Sequence, residues 1–222
     1  MTGRTTDVAI VGGGLVGAWT AFFLARRGQR VTVLEKGVVG AQSSGVNFGN
    51  LRLQGRFPGQ YPLSLRSQAL WEEFEALTGE DCEFEQSGHL YLAYDAEEHA
   101  RLESYAEVSE SYGLAIERLE PADLRRRWPW LGQQAVAATF SARDATANPR
   151  LATPAVMRAA ARHGASVREN TRVVDIGRSG DGFTLALANG ETLSCGALVN
   201  SAGAWALEIA ERFGETAPLF PA

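Results

Sequence analysis

The hydrophobic pattern changes period twice within the first 35 residues. Val8 to Val11 form a short apolar, β-branched run of the kind a buried parallel strand requires. The amphipathic run Ala18–Arg27 then reads as a helix, which Gly28 stops, and "RVTVLE" supplies a second strand ending at Glu35. Beyond residue 60 the pattern is less regular. "PLSLRSQALWEEFEALTGE" (62–80) carries Leu65, Leu70, Phe74 and Leu77 at helical spacing. "CEFEQSGHLYLAYD" (82–95) alternates about Ser87-Gly88 and predicts a hairpin with Leu90 and Leu92 on one face. A polar, capped helix follows over 96–113, then a short one over 120–131 broken at Pro129. Pro149 precedes a helix over Leu151–His163 that Gly164 ends. The remainder, to "VNSAGAW", predicts several short strands with turns at Gly180-Asp181-Gly182 and Asn189-Gly190.

These elements give an α/β chain in three stretches: 1–75 in the alternating pattern, an α+β insert at 76–143, and a return to the first domain over 144–222.

The turn between the first strand and helix carries Gly12, Gly14 and Gly17 in G-x-G-x-x-G spacing. The first glycine permits a tight turn, the second lets backbone approach a pyrophosphate, and the third lets helix and strand pack closely. The helix N-terminus presents unpaired N–H groups and a positive dipole end to phosphate. Glu35, about 20 residues further on, can accept hydrogen bonds from ribose hydroxyls. The same acid would repel a 2′-phosphate, which leaves FAD or NAD(H); the glycines alone do not separate them.

Composition narrows the function classes. The chain has 222 residues, 45% hydrophobic and 21% charged, with a net charge of -5, a globular and mildly acidic balance without a basic block for nucleic acid. Arg125–Arg127 alternate with Leu124 and Trp128 as a solvated helix end would. Cys82 and Cys195 form no CxxC and are expected to be reduced thiols, and His89, His99 and His163 lie too far apart for metal-ligand spacing. No apolar run reaches transmembrane length and no secretory signal opens the chain, so a cytoplasmic protein is expected. Trp71, Trp128 and Trp130 suit core packing or interdomain contact better than an aromatic cage for an amine.

Four stretches carry a resemblance: "LEKGVVGAQSSGVNFGNLR", "SGHLYLA", "DATANPRLATPAVMRAAARHGASV" and "ALVNSAGAWA". Together with the glycine turn they resemble the FAD-dependent amine and amino-acid oxidoreductases of the D-amino-acid oxidase superfamily, over nearly the whole chain. The resemblance selects FAD over NAD. It implies a Rossmann-like FAD-binding domain of glutathione-reductase type with the insert as part of a substrate domain. It also implies cofactor contacts at Gly12, Gly14, Leu15, Val16, Gly17, Glu35 and Lys36. Further contacts follow along the loop at Ser43, Ser44, Gly45, Asn47, Gly49 and Asn50, then at Val173 and Val174, and at Ser201, Ala202, Gly203 and Trp205. The implied reaction oxidises the carbon–nitrogen bond of an amine or amino acid (a D-amino acid, D-hydroxyproline, an opine or a sarcosine-like compound) by hydride transfer to flavin N5. With neutral amine as the reactive form, the rate should rise with pH across the substrate's amine titration. Arg52 and Arg56 are candidates for an electrostatic role near the flavin or a substrate carboxylate, against a surface or interdomain role, and no acid or base is assigned.

Three alternatives stay open. The same flavin fold could act on a hydroxy acid, or the chain could be a non-catalytic FAD-binding subunit of a larger complex or a truncated relic. A partner subunit or electron acceptor, with a peripheral place at the inner face of a membrane, is a further expectation of the resemblance. Because the family generally continues well past the "PLFPA" at which this sequence stops, the expectation is an N-terminal part, incomplete in its substrate sheet, with little flavin retention or activity alone.

Overall fold

The β-branched runs and the glycine stops set out above become elements in a computed structural model that describes residues 4–216. In chain order these are β1 (Arg4–Val11), α1 (Leu15–Arg26), β2 (Val31–Leu34), β3 (Asn50–Leu51), α2 (Tyr61–Glu72), α3 (Phe74–Thr78), β4 (His89–Ala93), α4 (Ala96–Ser111) and β5 (Glu117–Leu119). Then come α5 (Pro121–Arg127), β6 (Ala137–Ser141), β7 (Ala145–Thr146), α6 (Pro149–Arg162), β8 (Ser166–Arg168), β9 (Val173–Ser179), β10 (Gly182–Leu187), β11 (Thr192–Asn200) and α7 (Ala206–Ala210). The "PLFPA" run and the first residues of the polar lead lie outside the described residues.

The elements cluster in two units. The first holds the described residues up to Phe48, Glu75–Cys82, and those from Pro149 onward; the second holds Gly49–Phe74 and Glu83–Asn148. Residues 49–74, assigned by sequence to the first stretch, thus cluster with the second unit.

In the first unit the sheet order is β8-β2-β1-β11-β10-β9. The four strands β8, β2, β1 and β11 run parallel, while β10 and β9 continue antiparallel. The inner side chains of this antiparallel pair, Ile176, Leu185 and Leu187, pack with Ala9 and Leu34, so it covers the parallel sheet on that side. Helices α1 and α6 pack against each other. Their buried positions are mostly alanine (Ala18, Ala21 and Ala25; Ala152, Ala155, Ala159 and Ala160), and small side chains let backbones approach closely.

In the second unit β4, β6 and β5 form an antiparallel sheet with β6 central, and β3 pairs with β7. The hairpin expected over 82–95 does not form. Only His89–Ala93 is a strand, its partner is β6, and Glu85 bridges Thr146 instead. Gly88 permits this because a Cβ there would lie 2.3 Å from the Phe140 ring. Leu90 and Leu92 do share a face, packing with Leu119, Leu124 and Trp128. The helix expected over 62–80 is two helices, α2 and α3, with Trp71 stacked on Phe74 at 5.4 Å across the break. Trp130, by contrast, is exposed. Helix α4 starts in a reciprocal cap: Asp95 accepts from the Glu98 N–H at 2.8 Å, and Glu98 accepts from the Tyr94 N–H at 2.8 Å.

Candidate functional site

At the C-terminal end of β1 the chain must reverse into α1 within three residues. Gly12 does so at φ +109°, and a Cβ there would lie 2.3 Å from the Ser201 carbonyl oxygen. Gly17 faces that turn across one helical turn, and a Cβ on it would be 2.0 Å from the Gly12 carbonyl oxygen. Both glycines are therefore required by packing at this end of the sheet. Gly14 differs: as the extended N-cap of α1 it has no side chain to offer, and only the Ser44 hydroxyl comes close. That hydroxyl accepts from the Leu15 N–H at 3.0 Å, so a residue 29 positions away caps the helix. No acidic residue occupies the first turn of α1, and the positive end of its dipole is left for an anion. Val16, in that turn, is 70% exposed.

Glu35 is buried immediately beyond β2. One carboxylate oxygen accepts from the Gly13 N–H at 2.7 Å and the other from the Gly37 N–H at 2.8 Å. The acid thus fastens the glycine turn to β2, and each oxygen retains a lone pair for a further donor. The segment after β8 lies alongside. The Glu35 N–H donates to the Arg168 carbonyl, the Thr171 N–H to the Glu35 carbonyl, and the Asn170 N–H to the Gly37 carbonyl. Asn170 takes φ +50°, which asparagine tolerates better than most residues. Glu169 accepts from the Val39 N–H at 2.7 Å, a tie that no motif in the sequence announces.

The other expected positions fall into three groups. Lys36 and Trp205 come together, the ammonium 2.9 Å from the indole centroid. The Ser201 hydroxyl lies 3.0 Å from the carbonyl oxygens of both Val11 and Gly12, which holds the end of β11 against the glycine turn. Ala202 and Gly203 continue from it into a short 3₁₀ turn. In the 43–47 loop, Ser43 is exposed and the Asn47 amide donates to the Ser43 and Ser44 carbonyls, at 2.9 and 3.1 Å. Gly45 is required by packing, because a Cβ there would lie 2.2 Å from the Gly40 carbonyl oxygen. Val173 packs with the Leu34 and Leu187 cluster, whereas Val174 is exposed and its carbonyl accepts from Arg212. Gly49, Asn50, Arg52 and Arg56 belong to the second unit. Asn50 pairs with Thr146, and the Gly49 carbonyl accepts from the Ala147 N–H at 3.0 Å. Arg52 donates to the Tyr91 hydroxyl, and the Arg56 Nε–H donates to the Arg52 carbonyl at 2.9 Å.

A glycine turn between strand and helix, an acid-free helix N-terminus capped from afar and a buried acid after the next strand define a dinucleotide-binding protein of the Rossmann class. The family description "FAD dependent oxidoreductase" matches residues 7–222, and the chain belongs to that family. It is 33% identical over 223 residues to glycine oxidase of Geobacillus kaustophilus (strain HTA426), a match covering 97% of this chain and 59% of the relative. It is 26% identical over 208 residues to N-methyl-L-tryptophan oxidase of Yersinia pestis (strain Pestoides F), covering 91% of this chain and 55% of the relative. Among solved structures, L-proline dehydrogenase from P. horikoshii superposes with a TM-score of 0.88 at 28% identity, covering 96% of this chain and 57% of that one. The chain therefore spans somewhat over half the length of these relatives.

FAD is the cofactor of the family, and the residues present fit it. The open N-terminus of α1 suits a pyrophosphate, and the second lone pairs on the anchored Glu35 carboxylate suit the two ribose hydroxyls.

Proposed function

We propose that the protein of which this chain is all or part oxidises the carbon–nitrogen bond of a small amino acid. FAD, when bound, supplies the two-electron acceptor. On this reading α1 and Ser44 hold the pyrophosphate and Glu35 holds the ribose. Lys36 and Trp205 flank the nucleotide, with Val173, Val174 and Ser201–Gly203 bordering it through backbone. Ser43, Gly45, Asn47, Gly49 and Asn50 carry the loop from phosphate towards the ring. Family membership over residues 7–222 carries the proposal.

The choice of an amino acid over a simple amine is supported by Arg52 and Arg56. Both are half-buried, and neither has a carboxylate partner among the described residues, whereas Arg118, Arg127, Arg158 and Arg168 are each paired with an acid. A half-buried guanidinium with only neutral partners is suited to a ligand carboxylate. In this role the two arginines orient the substrate, and no proton transfer is assigned to them.

The test is anaerobic bleaching of the FAD-loaded protein by a panel of glycine, sarcosine, D- and L-amino acids, simple amines and 2-hydroxy acids. Bleaching by amino acids and not by the corresponding amines supports the reading; bleaching by hydroxy acids alone overturns it.

A further inference from the structure

The second unit buries a polar set behind Arg52. Gln54, Thr139, Ser141 and Asp144 are each less than 4% exposed. The Gln54 side-chain nitrogen donates to the His89 carbonyl at 2.6 Å and lies 3.1 Å from His89 Nδ1, while its oxygen accepts from the Thr139 hydroxyl at 3.2 Å. Asp144 Oδ1 accepts from the Ser141 hydroxyl at 2.7 Å and from the Gln54 backbone N–H at 3.4 Å. The His89 ring meets the Tyr91 ring in a T-shape at 4.7 Å, and Tyr91 is the residue that receives Arg52.

This geometry fixes the protonation of His89. A carbonyl oxygen only accepts, so the Gln54 atom facing the His89 carbonyl is the amide nitrogen. The same nitrogen faces Nδ1, which must therefore be the acceptor, and the ring proton sits on Nε2. A second proton on Nδ1 would point at an NH₂ group and place a cation beside Arg52. The ionisable groups facing the ring are Asp144, Arg52 and Tyr91. Burial pushes the imidazole below its ordinary titration range, Asp144 opposes the shift, and Arg52 reinforces it.

We propose that His89 is a positioning residue for Arg52: with its unprotonated Nδ1 seated on the Gln54 amide it holds the Tyr91 ring that receives the guanidinium, and a second ring proton would push the imidazole off Gln54 and unseat Tyr91 from Arg52. This rests on the amino-acid reading of the site. On that reading Arg52 would hold the ligand carboxylate, and His89 acts on it only through the seat it gives Tyr91.

The chain has three histidines, so nitrogen-detected NMR can resolve the His89 tautomer and its titration. Trifluoroacetate, a carboxylate that stays ionised throughout the range, serves as the probe by fluorine NMR. His89 is expected in the neutral Nε2–H form at pH 7, with probe binding that weakens as the pH falls through its titration and is lost in Arg52→Met. Gln54→Glu replaces the donor with an acceptor; it should protonate Nδ1 and weaken the probe at pH 7 by about tenfold. If that variant does not fold, His89→Phe carries the test. It keeps a neutral ring against Tyr91, and should bind the probe within about twofold of the parent with no pH dependence. An Nδ1–H or charged His89 at pH 7, no probe binding by the parent, or unchanged affinity in Gln54→Glu with an altered ring would each overturn the proposal. Flavin bleaching by amino acids with a KM indifferent to Arg52→Met would sink the inference and leave the proposed function standing. The expected probe binding without amino-acid oxidation would do the reverse.

Discussion

Gly17 and Gly132 show how differently one residue type can be constrained. A methyl on Gly17 meets backbone at 2.0 Å, which cannot move without opening the turn between β1 and α1, whereas nothing lies within 4 Å of one on Gly132. Gly17→Ala should therefore lower unfolding free energy in urea by about 1–3 kcal/mol. Gly132→Ala should stay within about 0.5 kcal/mol of the parent. Equal midpoints for the two would contradict the packing account. The tasks of Gly12 and Gly17 were legible in the sequence because spacing alone forces a strand–turn–helix. Those of Glu35 and Gly45 were only half legible. The tie from Glu35 to Gly13, and the contact of Gly45 with Gly40, depend on loops closing over the sheet, which no periodicity encodes. Gln54 and His89 gave no signal of this role, since their hydrogen-bond partners are 35 or more positions away in sequence.

Among the elements, helices with their own caps and strands with their own punctuation were readable, while pairing partners were not. The Ser87-Gly88 turn looked like a hairpin because it lies between alternating runs. Its glycine instead serves the approach of Phe140 on β6, and β6 was not apparent as a strand. The 62–80 run looked continuous because its period survives the break at Glu73. After that break Glu75–Cys82 returns to the first unit, where Glu80 is bound by both Arg158 and Arg162 of α6 and Arg162 also donates to the Thr78 carbonyl. The hydrogen bond from Arg158, reinforced by Arg162, holds the Glu80 carboxyl below its ordinary range against the opposing effect of burial. A depressed folded-state pKa stabilises above the unfolded value of 4.5 and is lost as the pH falls through the folded one. Glu80→Gln should therefore cost about 1 kcal/mol at pH 7, and the gap from the parent should close in acid. A gap that widens below pH 4.5 would count against it.

At the scale of the whole molecule, the alternation of strand and helix through residue 35, and its return after Pro149, made the Rossmann class visible before any pairing was known. The loop after Glu35 then distinguished FAD from NAD, in agreement with the family match over residues 7–222. No helix among the described residues is long and apolar enough to cross a membrane. The substrate side was the less legible part. The features that favour a carboxylate are two half-buried arginines with no acid partner among the described residues, which appears only when the fold shows what each side chain touches. The account depends on the glycine turn, Ser44 and Glu35 forming one cofactor-binding surface, and an equilibrium titration of the chain with FAD and with NAD, followed by flavin and protein fluorescence, tests this most directly. One FAD should bind per chain at least tenfold more tightly than NAD, and Glu35→Gln should weaken FAD by about tenfold to a hundredfold, as loss of hydrogen bonds to a charged acceptor does. NAD binding as tightly as FAD, or a Glu35→Gln chain with unchanged FAD affinity, would contradict it.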